Sequence, residues 1–163
     1  MKTLLILRHA KSSWKHTDLA DYDRPLKKRG LRDCHKIGHL LRVQNLVPQR
    51  ILSSSAKRAH DTAERVADAC GYENPIHFDR NFYAAGPTAY IEALRELDDN
   101  DVRVMIIGHN PGLEVLLEAL TGEIERLPTA ALAQVNLPIA HWRELEECTE
   151  CQLINLWVPR QLN

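Results

Sequence analysis

The sequence predicts an α/β domain of three layers, an α/β/α sandwich with helices on both faces of a mostly parallel sheet. Short apolar runs of strand length alternate with longer stretches in which apolar residues recur at helical spacing. The run VRVMIIG at 102–108 is apolar almost without interruption, as suits a strand covered on both faces. The length of 163 residues is that of one ordinary domain, and 44% hydrophobic residues are enough to fill its core. Residues 1–163 are therefore read as a single domain, with no repeat, low-complexity stretch or linker.

Residues 3–8 read as a buried strand. A polar loop follows at about 10–25, where Asp18, Asp21, Asp23 and Pro25 break regular structure. Leu31, Cys34, Ile37, Leu40 and Leu41 mark a helix over 28–43. Residues 50–54 are a short strand. A helix over 56–70 follows, with Ser55 as the expected N-cap and Gly71 closing it. A third strand at 75–79 precedes a helix at about 87–97. After the 102–108 strand, Asn110 is the expected cap and Pro111 the first residue of a helix that ends near Gly122. Residues 131–137 and 152–158 read as two final strands.

The charges nearly cancel, 21 basic against 22 acidic. That balance argues against a dedicated nucleic-acid or membrane-surface binder. The one basic run, Lys27-Lys28-Arg29, suits a solvated helix start. No targeting segment is visible: the apolar stretch 4–7 is too short for a signal peptide and is cut off by Arg8. Nothing approaches the roughly 20 apolar residues of a membrane span, so a cytoplasmic location is expected. Of the four cysteines, Cys148 and Cys151 form a C-x-x-C pair. One such pair is half a zinc site at best, and two thiols in a hairpin turn is the plainer reading.

Three polar clusters fall at predicted strand ends: Arg8-His9, the segment Ser53 to Arg58, and His109-Asn110. Ligands of open α/β sheets collect outside the carboxyl ends of the strands, so the clusters meet if their strands are parallel neighbours. Singly, each has a plainer reading: a surface pair, a solvated charge, a strand-to-helix turn. Together they suit a phosphoryl group. Arginine presents a planar fork of donors to phosphate oxygens, and helix N-termini add partial positive charge. A neutral imidazole is a competent nucleophile, and a second histidine can donate to a phosphoryl oxygen as charge builds. His16, His35, His39, His60, His77 and His141 are assigned surface or packing roles.

The order of these motifs, LRHA at 7–10, SSSAKRAHDTAE at 53–64 and IIGHNPG at 106–112, resembles the histidine phosphatase superfamily, with its phosphoglycerate mutase-like fold. The small size and the stretch DYDRPLKKRG at 21–30 resemble its compact branch, the SixA-type phosphohistidine phosphatases. The resemblance implies that His9 is the nucleophile and forms a phosphohistidine intermediate. It implies that Arg8 and Arg58 bind the phosphoryl group, that His109 stabilises its charge, and that Arg24 and Ser12 add contacts. It implies no metal and no organic cofactor.

Two departures from the family pattern matter. The first motif usually reads Arg-His-Gly, and Ala10 stands here as in related compact members. The turn must then have negative φ or carry strain. Larger relatives that cleave alkyl esters supply a carboxylic acid from an inserted segment, and no such insertion lies between 79 and 102. Asp21 is the best-placed candidate general acid by resemblance, and Asp79 a weaker one. A site with weak acid assistance suits P–N bonds, because an imidazole leaving group is far less basic than an alkoxide; its reference pKa is about 6.5.

The expected function is thus hydrolysis of phosphohistidine on a partner, such as a histidine-containing phosphotransfer protein, a phosphocarrier or a histidine kinase. A small-molecule phosphomonoesterase on the same machinery is the alternative. A non-catalytic phosphate-binding module is a third reading, against which stand His9 and His109. A mutase lacks material for the lid that keeps water from its phosphoenzyme.

Overall fold

The computed structural model describes residues 1–147 and 150–163. One six-stranded sheet runs through it in the order β3-β2-β4-β1-β5-β6. Its strands are β1 (Lys2–Arg8), β2 (Arg50–Ser54), β3 (Ile76–Asp79), β4 (Arg103–Gly108), β5 (Leu132–Leu137) and β6 (Gln152–Trp157). The first four pair in parallel, while β5 pairs antiparallel with β1 and β6 antiparallel with β5. The sheet is therefore mostly parallel, as expected.

Alternation along β1 divides the core. Leu5 and Leu7 face α1 (Lys28–Val43) and α2 (Lys57–Cys70), where they meet Ile37, Leu41, Ala63 and Val66. Leu4 and Ile6 face α3 (Pro87–Arg95) and α4 (Gly112–Thr121), together with Tyr90, Leu94, Leu113 and Trp142. Leu4 to Leu7 and Val104 to Ile107 are all fully buried. Two helical layers over one sheet explain why these two strands carry no polar alternation.

Both C-terminal glycines behave as expected: Gly71 (φ 78°) and Gly122 (φ 76°) cap α2 and α4 in the left-handed region. Two helix starts differ from the sequence reading. Ser55 is not the cap of α2; its hydroxyl is bonded to Tyr22 Oη, and Ala56 occupies the cap position. Ser54 Oγ instead accepts the Ala56 N–H at 3.2 Å. Asn110 does not cap α4, because its Nδ2 donates across to the Leu127 carbonyl at 2.9 Å and Pro111 is the cap residue. In both places the polar side chain joins a distant segment rather than the local helix. Cys151 is buried; its expected companion Cys148 lies outside the described residues. Among those residues no helix is long and apolar enough to cross a membrane.

Candidate active site

The parallel order β2-β4-β1 brings three strand ends side by side. Arg8 is in register with Gly108, and Ser53 with Ile107. Arg8, His9, Ser12, Arg24, Arg58 and His109 all line one cavity of about 190 Å³. Lys11, Trp14, Asn110 and Thr129 complete its wall, and the sequence reading assigned none of these four to phosphate. Asp79 is elsewhere. It caps the turn after β3 by accepting the Asn81 N–H at 2.8 Å, and it lines a separate groove of about 1020 Å³ beside α3.

His9 is held in one tautomer. Its Nδ1 lies 2.8 Å from the Ala10 carbonyl, which can only accept, so Nδ1 carries the proton. Nε2 then bears the lone pair, has no protein partner among the described residues, and remains open to the cavity. Burial pushes the ring's pKa down to about 3, helped by His109, Arg58 and Arg8 and opposed by the Ala10 carbonyl. The imidazole is thus neutral at neutral pH. Ala10 is fully buried and has negative φ. Its N–H donates to Thr62 Oγ1 at 3.0 Å, so the turn after β1 is made without the left-handed geometry that favours glycine. Thr62 donates in turn to the Arg58 carbonyl at 2.7 Å, tying the first motif to the second.

His109 packs against His9 with ring centroids 5.2 Å apart. Its Nε2 lies 2.8 Å from Ser54 Oγ, which already accepts the Ala56 N–H. The Ser54 hydroxyl can donate its hydrogen to Nε2, and in that tautomer the His109 proton sits on Nδ1. That atom is buried and without a protein partner among the described residues. Burial, with Arg58, lowers this ring's pKa to about 4. Gly108 is required just before it: a Cβ there would lie 2.1 Å from Tyr90 Oη.

The arginines surround these rings. Arg8 Nη1 donates to the Leu127 carbonyl at 3.0 Å, the same oxygen that Asn110 uses. Arg24 donates through Nη1 to Ser12 Oγ at 2.8 Å, and its guanidinium stacks 3.5 Å from the Trp14 ring centre. Lys27 N–H donates to the Lys11 carbonyl, and Ser13 N–H to that of Pro25, so the 12–26 loop is closed on itself. Gly30, which ends the DYDRPLKKRG stretch, lets α1 approach this loop; a Cβ there would stand 2.3 Å from Lys11 O. The Nε atoms of Arg8 and Arg58 are buried and have no partner among the described residues. A buried donor left unmet costs about 1–3 kcal/mol, and an oxyanion supplies acceptors.

Asp21 reaches the same cluster. Its carboxylate accepts from Arg24 Nε (3.0 Å), Arg58 Nη2 (3.0 Å) and Tyr83 Oη (2.6 Å), and its carbonyl from Arg58 Nη1 (2.7 Å). The Tyr83 hydroxyl, followed by Arg58 and Arg24, holds its pKa down at about 2. In this arrangement Asp21 is an ionised acceptor and not a proton donor, which departs from the role of general acid expected for it.

The neutral burial of both histidines gives a pH signature. Unfolded, each ring takes up a proton below about pH 6.5; folded, His109 resists to about 4 and His9 to about 3. Between those limits the unfolded chain binds more protons, so stability is lost as pH falls. The expected slope is roughly 1.4 kcal/mol per histidine per pH unit. Urea midpoints measured down this range should fall, and more shallowly in His109→Gln. Equal slopes in the two proteins would show that His109 is not buried neutral.

Comparisons with known proteins place the chain in a family. The sequence profile of the histidine phosphatase superfamily (branch 1) matches residues 4–83, which include His9 and Arg58. An uncharacterized protein of Mycobacterium tuberculosis is 30% identical over 94% of this chain and 100% of its own length. An uncharacterized chloroplastic protein of Arabidopsis thaliana is 34% identical over 88% of this chain and 70% of its own. A crystal structure of a candidate phosphohistidine phosphatase SixA from Agrobacterium tumefaciens superposes with a TM-score of 0.81 at 28% identity, covering 97% of this chain and 98% of that one. The chain belongs to the histidine phosphatase superfamily, in its compact SixA-type branch. The structure of a protein histidine phosphatase SixA complexed with tungstate shares the fold, with a TM-score of 0.83 at 23% identity over 98% of both chains. Family and neighbours support a phosphatase, a hydrolase.

Proposed function

We propose that this chain hydrolyses phosphohistidine carried on a partner protein, through a phosphohistidine formed transiently on its own His9. The observation that supports it most directly is the His9 ring, neutral and fixed by Ala10 O with Nε2 open to a cavity walled by arginines. In the first transfer Nε2 attacks phosphorus and the P–N bond to the partner breaks. Arg8 and Arg58 hold the phosphoryl oxygens, and His109 Nδ1–H donates to one of them as charge builds. The departing imidazole takes a proton from solvent at its other ring nitrogen, so it leaves neutral without an acid at the reacting atom. Water then attacks the phosphoryl group on His9, yielding inorganic phosphate and the free ring.

Guanidinium groups supply the positive charge, so the reaction as proposed needs no metal. Trp14, 68% exposed beside the cavity, leaves an open lip of the kind a protein-borne substrate needs. A cytoplasmic setting fits such partners.

The test compares a phosphohistidine-bearing protein, p-nitrophenyl phosphate and a sugar phosphate, with and without a chelator. Phosphohistidine is expected to turn over fastest, and the chelator to change nothing. Faster turnover of the sugar phosphate would make the chain a metabolite phosphatase and reject the protein substrate. Loss of activity with chelator would reject the metal-free scheme.

A further inference from the structure

Three side chains at and beside the site direct donors to one carboxylate. Asp21 accepts from Arg58, Arg24 and Tyr83 within 2.6–3.0 Å, and Arg58 makes a further 2.7 Å bond to the Asp21 carbonyl. Arg58 and Arg24 are each only 8% exposed in their side chains, whereas Asp21 is 46% exposed. The carboxylate thus approaches the buried guanidinium groups from the solvent side. The Nε of Arg58 is buried and has no partner among the described residues.

We propose that Asp21 is a resident counter-ion that competes with the phosphoryl group for Arg58 and Arg24 and so speeds the release of inorganic phosphate. The inference rests on the reading that these arginines bind phosphate, and it replaces the role of general acid for Asp21 with a positioning one. A site with two buried arginines, a third half-buried and no opposing charge binds a dianion tightly, and tight product binding slows turnover. A carboxylate fixed on two of those arginines lowers affinity for the free dianion by direct repulsion. It also keeps both guanidinium groups oriented between turnovers, so the cradle does not have to be rebuilt for each substrate. Tyr83 fixes the position of the carboxylate without adding charge.

The experiment is titration of inorganic phosphate into the intact protein, with Asp21→Asn and the neighbouring exposed Asp23→Asn compared with the wild type. Asp21→Asn keeps an acceptor oxygen but removes the charge. Its phosphate dissociation constant is expected to fall about tenfold or more and product inhibition to deepen to match, with little change in Asp23→Asn. Tyr83→Phe, which loosens the carboxylate without removing it, is expected to lie between them, and it serves if Asp21→Asn fails to fold. Unchanged or weaker phosphate binding in Asp21→Asn overturns the proposal. So does a loss of turnover that grows with the basicity of the leaving group, which would restore the general acid. Phosphate binding is read without any phosphohistidine substrate, so a failure of the protein-substrate reading leaves this result standing.

Discussion

Replacing His9 by alanine is expected to lower kcat by about 10⁴ or more on every substrate the chain accepts. The size of the effect follows from the scheme: without Nε2 neither transfer has its covalent carrier, and only binding and charge stabilisation remain. The variant should also lose the phosphorylated intermediate. Rapid quenching of the wild type with a labelled substrate is expected to trap phosphate on His9, stable to base and labile to acid, and His9→Ala should trap none. His9 is 6% exposed, so circular dichroism must first show that the variant is folded. A folded His9→Ala that retains wild-type turnover would remove His9 from the chemistry.

Replacing Arg58 by lysine should cost about 10²–10³ in kcat/KM. The charge survives this change, and the planar fork does not. Arg58 uses Nη1 and Nη2 together on Asp21, and the same two-pronged geometry suits a phosphoryl group. A lysine offers one compact ammonium in place of two directed donors, and it leaves Asp21 with a looser partner. The loss is expected in both KM and kcat, since the scheme has Arg58 hold the phosphoryl oxygens before and during transfer. A change of less than about threefold, measured on the same aryl ester as the wild type, would mean that Arg58 does not touch the reacting group.

Much of the fold was visible in the residues themselves. All six strands and four helices lie close to their predicted places, because β1 and β4 are apolar on both faces and α1 and α2 carry their apolar residues on one. The helix starts at 56–57 and 110–112 were read less well. Their serine and asparagine side chains have the chemistry of local caps but spend it on Tyr22, His109 and Leu127. Thr62 was missed although it left a trace: it stands four residues after Arg58, one turn along the same helix face. Tyr83 left none. It meets Asp21 from 62 residues away, and no local pattern announces such a pairing.

The sequence by itself determined the layers, the candidate nucleophile and the cluster of residues that resembles a phosphoryl site, because periodicity and motif order are local properties of the chain. Tertiary structure alone decided the protonation and the partners. His9 is neutral because folding buries it, and its tautomer is set by a carbonyl whose direction depends on how the turn at Ala10 is held by Thr62. Asp21 is an ionised acceptor because folding sets it against Arg58, Arg24 and Tyr83. Desolvation and charge proximity act through space, so they come into being only when segments far apart in the chain are packed together.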